Sequence, residues 1–164
     1  MIIVSDTSPI SALLKCNRVE LLKQLFFQVV VPQKVFDELL VLERSGIDVQ
    51  SLLTASWIQI LSPENKLKVE EFSDIVDSGE AEAIVLALEL KAEILLIDDL
   101  AGRILATEQG LATKGLLGIL VEAQKQNILP DAKLLVDTLR QNGTIWVSER
   151  VYQVFLKALN MIAK

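Results

Sequence analysis

Five carboxylates stand where their oxygens could do chemistry together. Asp6 closes the apolar run from Met1 to Ser5, and Asp98-Asp99 closes the run Ile94-Leu95-Leu96-Ile97, while Glu38 and Glu80 fall in helical stretches. If the two runs are parallel neighbouring strands, their C-terminal ends share one sheet edge, the place where open α/β sheets bind ligands. Carboxylates a few ångströms apart repel one another, so at neutral pH they need a proton, a basic partner or a cation. The 164-residue chain has no histidine and a single cysteine, Cys16. Imidazole-based zinc sites and histidine general bases are therefore excluded. An all-oxygen set selects a hard cation: Mg²⁺, Mn²⁺ or Ca²⁺. Such a cluster suits phosphodiester hydrolysis, in which bound cations activate water and stabilise the leaving oxygen.

Each acid also has an ordinary structural reading. Asp6 and Asp99 could cap the helices that follow them. Glu80 lies three residues after Asp77, as in a capping box. Glu38 could lie on a solvated helix face. A wheel at about 100° per residue puts Val35, Phe36, Leu39, Leu40 and Leu42 on a buried stripe that Glu38 borders and from which Asp37 points away. A carboxylate on that rim can reach into a cleft.

The elements that must position these groups alternate between strand and helix. Residues 1–5, 28–31, 57–60, 94–97 and 111–114 read as strands. Helices are expected at about 33–44, 47–55, 64–72, 100–109, 116–126, 131–141 and 149–162, and an alanine-rich helix opens at Asp77 and runs to Leu90. Ser8 as N-cap with Pro9 at the first helical position starts the first helix. This alternation predicts an α/β fold, a parallel sheet covered on both faces, within one domain spanning residues 1–164. Trp57, Trp146 and Phe155 are expected in the core or an interface.

Hydrophobic residues make up 51% and charged residues 23% of the chain, enough apolar side chain for a packed core. A net charge of −6 repels phosphate, so a nucleic-acid enzyme of this composition must gather its basic residues on one face or neutralise its acidic cleft. Lys15, Arg18, Lys23 and Lys34 could track such a backbone or be ordinary surface charge. No apolar run approaches the roughly 18 residues of a membrane span, and no basic leader precedes Ile2-Ile3-Val4. One unpaired cysteine fits a reducing compartment, so a cytoplasmic location is expected. The mean hydropathy of +0.42 points to a rich core or a buried oligomer surface, a homodimer being the simplest case.

Several stretches together resemble the PIN-domain family, in particular its branch of predicted ribonucleases related to the toxins of VapBC toxin–antitoxin pairs. They are Ser5-Asp6-Thr7-Ser8-Pro9-Ile10, Val31-Pro32 with Val35-Phe36-Asp37-Glu38-Leu39, Gly79-Glu80-Ala81-Glu82-Ala83-Ile84, Leu95-Leu96-Ile97-Asp98-Asp99 with Arg103, and Lys114-Gly115-Leu116-Leu117-Gly118-Ile119-Leu120. The resemblance implies a three-layer α/β/α sandwich with a central parallel sheet and RNA cleavage dependent on Mg²⁺ or Mn²⁺. It implies Asp6, Glu38, Glu80 and Asp98 or Asp99 as catalytic and metal-binding residues, with Asp99 favoured, and an antitoxin as protein partner. Ser8, Arg103 and Lys114 are the candidate phosphate contacts, and Arg103 could equally pair with Asp98 or Asp99. One departure is Leu116, where the branch usually carries Thr or Ser; Thr113 or Ser8 could supply the missing hydroxyl. Residues beyond about 125 match only loosely.

Two other classes compete. Asp6-Thr7-Ser8 and Asp98-Asp99 are also similar to the nucleophile loop and Mg²⁺ carboxylates of haloacid-dehalogenase-like phosphatases, but Ser8 stands where their acid/base aspartate belongs, and Glu38 and Glu80 would have no role. A catalytically silent binding module, its acidic cleft filled by a partner's Arg or Lys, is the non-enzymatic alternative.

Overall fold

The computed structural model describes residues 1–162. Its sheet is built from β1 (Ile3–Ser5), β2 (Val29–Pro32), β3 (Ile58–Leu61), β4 (Ile94–Leu96) and β5 (Thr113–Lys114), in the order β3-β2-β1-β4-β5 with every pairing parallel. The chain lays β2 and β3 to one side of β1 and then crosses to lay β4 and β5 on the other. The strand order therefore reverses between β1 and β4, where crossover loops diverge and leave a crevice at the carboxyl edge.

Side chains alternate across the strands and divide the core in two. Ile3, Val29, Val31 and Leu96 point into one layer, with α1 (Thr7–Lys15), α2 (Glu20–Phe26), α3 (Gln33–Val41), α4 (Gln50–Leu53), α8 (Leu116–Lys125), α9 (Ala132–Gln141) and α10 (Glu149–Ile162). Val4, Val30, Leu95 and Ile97 point into the other, with α5 (Lys66–Ser73), α6 (Ser78–Leu90) and α7 (Leu100–Glu108). This is the three-layer α/β/α sandwich. Both faces being covered explains why the central strands are continuously apolar rather than alternating. In α6 even the solvent-side positions are largely lost: Ala81, Ala83, Ile84, Val85, Leu86 and Ala87 are all buried, and small alanines let the helix lie close on the sheet.

Three local expectations change. The first helix begins at Thr7, with Asp6 rather than Ser8 in the N-cap position, because the backbone turns at Asp6 directly after β1 ends at Ser5. Pro9 then sits inside the first turn, where an amide would have no intrahelical partner anyway. Residues 20–26 form α2, a helix that the spacing did not announce, after a left-handed turn at Asn17 (φ 58°). The helix expected to Arg44 tightens to a 3₁₀ turn over Leu42–Ser45 and stops at Gly46, whose φ of 82° suits only a residue without Cβ. Trp57 and Phe155 are core residues as expected, and Trp146, 88% exposed in the irregular segment before α10, is left with the interface half of its expectation.

Candidate metal-binding active site

The switch point gathers the acids. Ser5 pairs with Leu96 in register, and the Asp6 amide donates to the Leu96 carbonyl at 2.9 Å, so Asp6 leaves the sheet level with Ile97, the residue before Asp98. One strand further on, the Ile97 amide donates to the Lys114 carbonyl at 3.0 Å, bringing Gly115 and α8 alongside Asp98. The same edge thus carries the starts of α1, α7 and α8, and their positive ends favour negative charge there.

Asp6 is 3% exposed and, although it occupies an N-cap position, its side chain makes no capping hydrogen bond. The ordinary helix-cap reading therefore does not account for it. Burial pushes its carboxyl from the usual 3.8 to about 7; the Thr7 amide opposes this, and the charges of Asp77, Glu38 and Asp98 add to it. Glu80 is 8% exposed and is pushed to about 8, first by burial, then by the charges of Asp77, Asp99 and Asp6 and by a carboxyl–carboxylate hydrogen bond with Asp77. Asp98 is raised by burial against the lowering effects of the Leu116 amide and Arg103. The acids that contribute to the Asp6 and Glu80 shifts are Glu38, Asp77, Asp98 and Asp99, which puts the expected carboxylates near one another at this edge.

The two aspartates after β4 face different neighbours. Asp98 Oδ1 accepts from the Leu116 amide at 2.7 Å and so caps α8 from outside the helix. Gly115 makes that reach possible, since a Cβ there would lie 2.6 Å from this oxygen and 3.3 Å from an Arg103 guanidinium nitrogen. Asp99 Oδ2 caps its own helix by accepting from the Gly102 amide at 3.0 Å. Each keeps its second oxygen for other work. Leu116 meets the site through its backbone while its side chain, 4% exposed, packs in the core, so a hydroxyl at that position would be directed inward.

Glu38 projects from the exposed side of α3, and its Oε2 accepts from the Thr7 hydroxyl at 2.7 Å. Asp37 stays outside, accepting from Gln33. Arg103 lies beside Asp98 rather than forming a pair within 4 Å with it. The Lys114 stem runs along α8, filling the space over Gly118, and Ser8 is exposed on the first turn of α1. Asp77 was overlooked as a site residue. It caps α6 by accepting from the Glu80 amide at 2.8 Å, and the sequence signal was the Asp-x-x-Glu spacing itself, which marks a cap without revealing that the cap faces the acidic edge.

The donors fit a hard divalent cation in chemistry: they are oxygen-only, two of them are buried, and among the described residues the ion pairs are Lys133–Asp137 and Arg140–Glu149, neither of which involves them. Among those residues no three acidic or thiol groups stand ready-made in ligand geometry.

The fold and the acidic crevice define a switch-point α/β protein with a carboxylate centre. Residues 2–161 match the family profile described as a PIN domain (DUF3368), and the chain belongs to the PIN-domain family, whose members are generally metal-dependent nucleases. The fold is similar to that of a PilT N-terminus domain protein, SSO1118, from the hyperthermophilic archaeon Sulfolobus solfataricus P2. The two share 21% identity at a TM-score of 0.50 over 75% of this chain and 93% of that one. No curated protein matches the sequence. Among the described residues no helix is long and apolar enough to cross a membrane.

Proposed function

We propose that the chain is a ribonuclease that hydrolyses RNA phosphodiester bonds with Mg²⁺ or Mn²⁺, the toxin-like member of a toxin–antitoxin pair. The observation that carries this reading is Asp6: a buried carboxylate at the switch point, in a capping position it does not use, with other acids near it and no ion pair among the described residues. Structural aspartates are not built that way, because an ionised buried group without a counter-charge costs stability.

Asp6, Glu38, Glu80 and the free oxygens of Asp98 and Asp99 would hold the cation or cations. The bound metal supplies a water activated near neutral pH and charge stabilisation of the leaving oxygen. The chain's own groups do the rest. The carboxylates must be ionised to bind, so metal and protons compete for Asp6 and Glu80. Ser8, Arg103 and Lys114 are assigned to the RNA phosphates, where Arg103 and Lys114 would offset the repulsion from a chain of net charge −6. An antitoxin would enter the same crevice with a basic side chain, and the chain is expected to act in the cytoplasm as a homodimer.

The test is cleavage of a mixed RNA pool by the purified chain with Mn²⁺, Mg²⁺ or EDTA, beside Asp6→Asn and Asp99→Asn. Metal-dependent cutting that either substitution abolishes in a folded protein is expected. Equal cutting in chelator, or a phospho-aspartate trapped on Asp6, would sink the proposal.

A further inference from the structure

Glu38 differs from the other acids of the crevice. It projects from the exposed side of α3, where a glutamate ordinarily samples several rotamers, yet here its carboxylate is enclosed from two directions. From α1, the Thr7 hydroxyl donates its one proton to Oε2 at 2.7 Å. From α6, Gly79 presents bare backbone: a Cβ at that position would lie 2.7 Å from Glu38 Oε1 and 3.1 Å from Oε2.

Gly79 has no conformational reason to be glycine. It is the second residue of a regular helix and is absent from the positions with positive φ, which are Gly46, Gly110 and Gly143 among the glycines. Glycine is a poor helix former, so local propensity also argues against it there. What it provides is space, and the Glu38 carboxylate fills that space. Thr7 adds direction. Because Thr7 directly follows Asp6, a carboxylate tied to its hydroxyl is held next to Asp6, and α1, α3 and α6 are locked around a single oxygen pair.

We propose that Thr7 and Gly79 form a mould that fixes the Glu38 carboxylate toward Asp6, with Thr7 a positioning residue acting through Glu38 and Gly79 the floor against which that carboxylate rests. This rests on the metal-nuclease reading and specifies how one of its ligands is oriented. The hydroxyl donates to Oε2 and leaves the remaining lone pairs of the Glu38 carboxylate for a cation. Outer partners of this kind orient ligands, and losing one typically weakens metal binding or activity by about 10–100-fold.

The experiment uses the full chain with Mn²⁺ as the probe, measured by calorimetry or electron paramagnetic resonance, together with kcat and KM on a mixed RNA pool and thermal melts. Thr7→Val keeps the shape and removes the donor; Thr7→Ser keeps the donor; Gly79→Ala keeps the helix and fills the mould. The expected result is Mn²⁺ affinity and kcat lower by about 10-fold or more in Thr7→Val and Gly79→Ala, with KM little changed. Thr7→Ser should remain near wild type, and Gly79→Ala should melt no lower than wild type because alanine suits the helix better. Wild-type behaviour in both Thr7→Val and Gly79→Ala would overturn the mould while leaving the nuclease reading standing. Thr7→Ser failing as badly as Thr7→Val would overturn the role of the hydroxyl. A wild-type chain that binds no Mn²⁺ would overturn the metal reading, and the mould with it.

Discussion

In the C-terminal helix pair, Asp137 accepts from Lys133 at 2.7 Å and from the Tyr152 hydroxyl, and Arg140 lies 4.2 Å from the centroid of the Tyr152 ring and 3.8 Å from Glu149. At the carboxyl edge of the sheet, Asp6 and Glu80 have other acids for neighbours, and Arg103 stands beside Asp98 alone. The same side-chain type responds in opposite directions. The Lys133 and Tyr152 hydrogen bonds hold Asp137 below the usual carboxylate range, whereas burial and like charges lift Asp6 to about 7. Charge in the helix pair fastens α9 to α10. Charge in the crevice opposes folding, and it becomes favourable only when positive charge enters.

The sharpest way to break this contrast is Asp6→Asn. RNA cleavage should fall on the order of 10³-fold or more, since a ligand to the activating cation is lost. The metal-free protein at pH 8 should melt higher than wild type, because a buried repelled charge has gone. A variant less stable than wild type under those conditions would show that Asp6 is structural, like Asp137. Next in size is Gly115→Ala, whose Cβ would meet Asp98 Oδ1 at 2.6 Å and part it from the Leu116 amide. Cleavage should drop by about 10–100-fold, with a lower melting temperature; unchanged activity would remove Asp98 from the site.

A pH series sharpens the same comparison without mutation. Folded Asp6 holds its proton up to about pH 7 and Glu80 up to about pH 8, well above their ordinary 3.8 and 4.5. Between those limits the native state binds more protons than the unfolded one, so stability falls as pH rises and levels off above about pH 8. In chelator the melting temperature should therefore be lower at pH 8 than at pH 5 by about 5 °C, and Mg²⁺ or Mn²⁺ should restore most of the loss at pH 8 and little at pH 5. Scanning calorimetry showing no such slope would contradict the crowding of the acids. The smallest effect belongs to Tyr152→Phe, which removes one partly exposed hydrogen bond. A drop of about 2 °C with cleavage within about twofold of wild type is expected, and a large loss of cleavage would mean that the two regions are coupled.

Much of this was written into the chain. Ile94-Leu95-Leu96-Ile97 and Ile2-Ile3-Val4, each ending in aspartate, announced doubly buried strands and the edge at which their acids meet, and Glu38 on the rim of its stripe was separable from Asp37 by wheel position alone. Other features were silent. Asp77 looked like any helix cap, because capping depends only on residues three apart, whereas its closeness to Asp6 depends on how α6 crosses the sheet. Trp146 looked like core or interface by type, and nothing local told which, because that depends on the surfaces that fold over it.

The sequence by itself determined the alternation of strand and helix, the all-oxygen donor chemistry and the absence of any histidine. These follow from residue type and short spacing, which act within a few residues. Only the tertiary structure decided that Asp6 would be buried without capping its helix, that Asp98 would cap α8 instead of its own helix, and that Thr7 and Gly79 would enclose Glu38. Those outcomes depend on desolvation and on contacts between residues far apart in the chain, such as Gly79 with Glu38 and Asp6 with Leu96, and such energies exist only once the layers have closed.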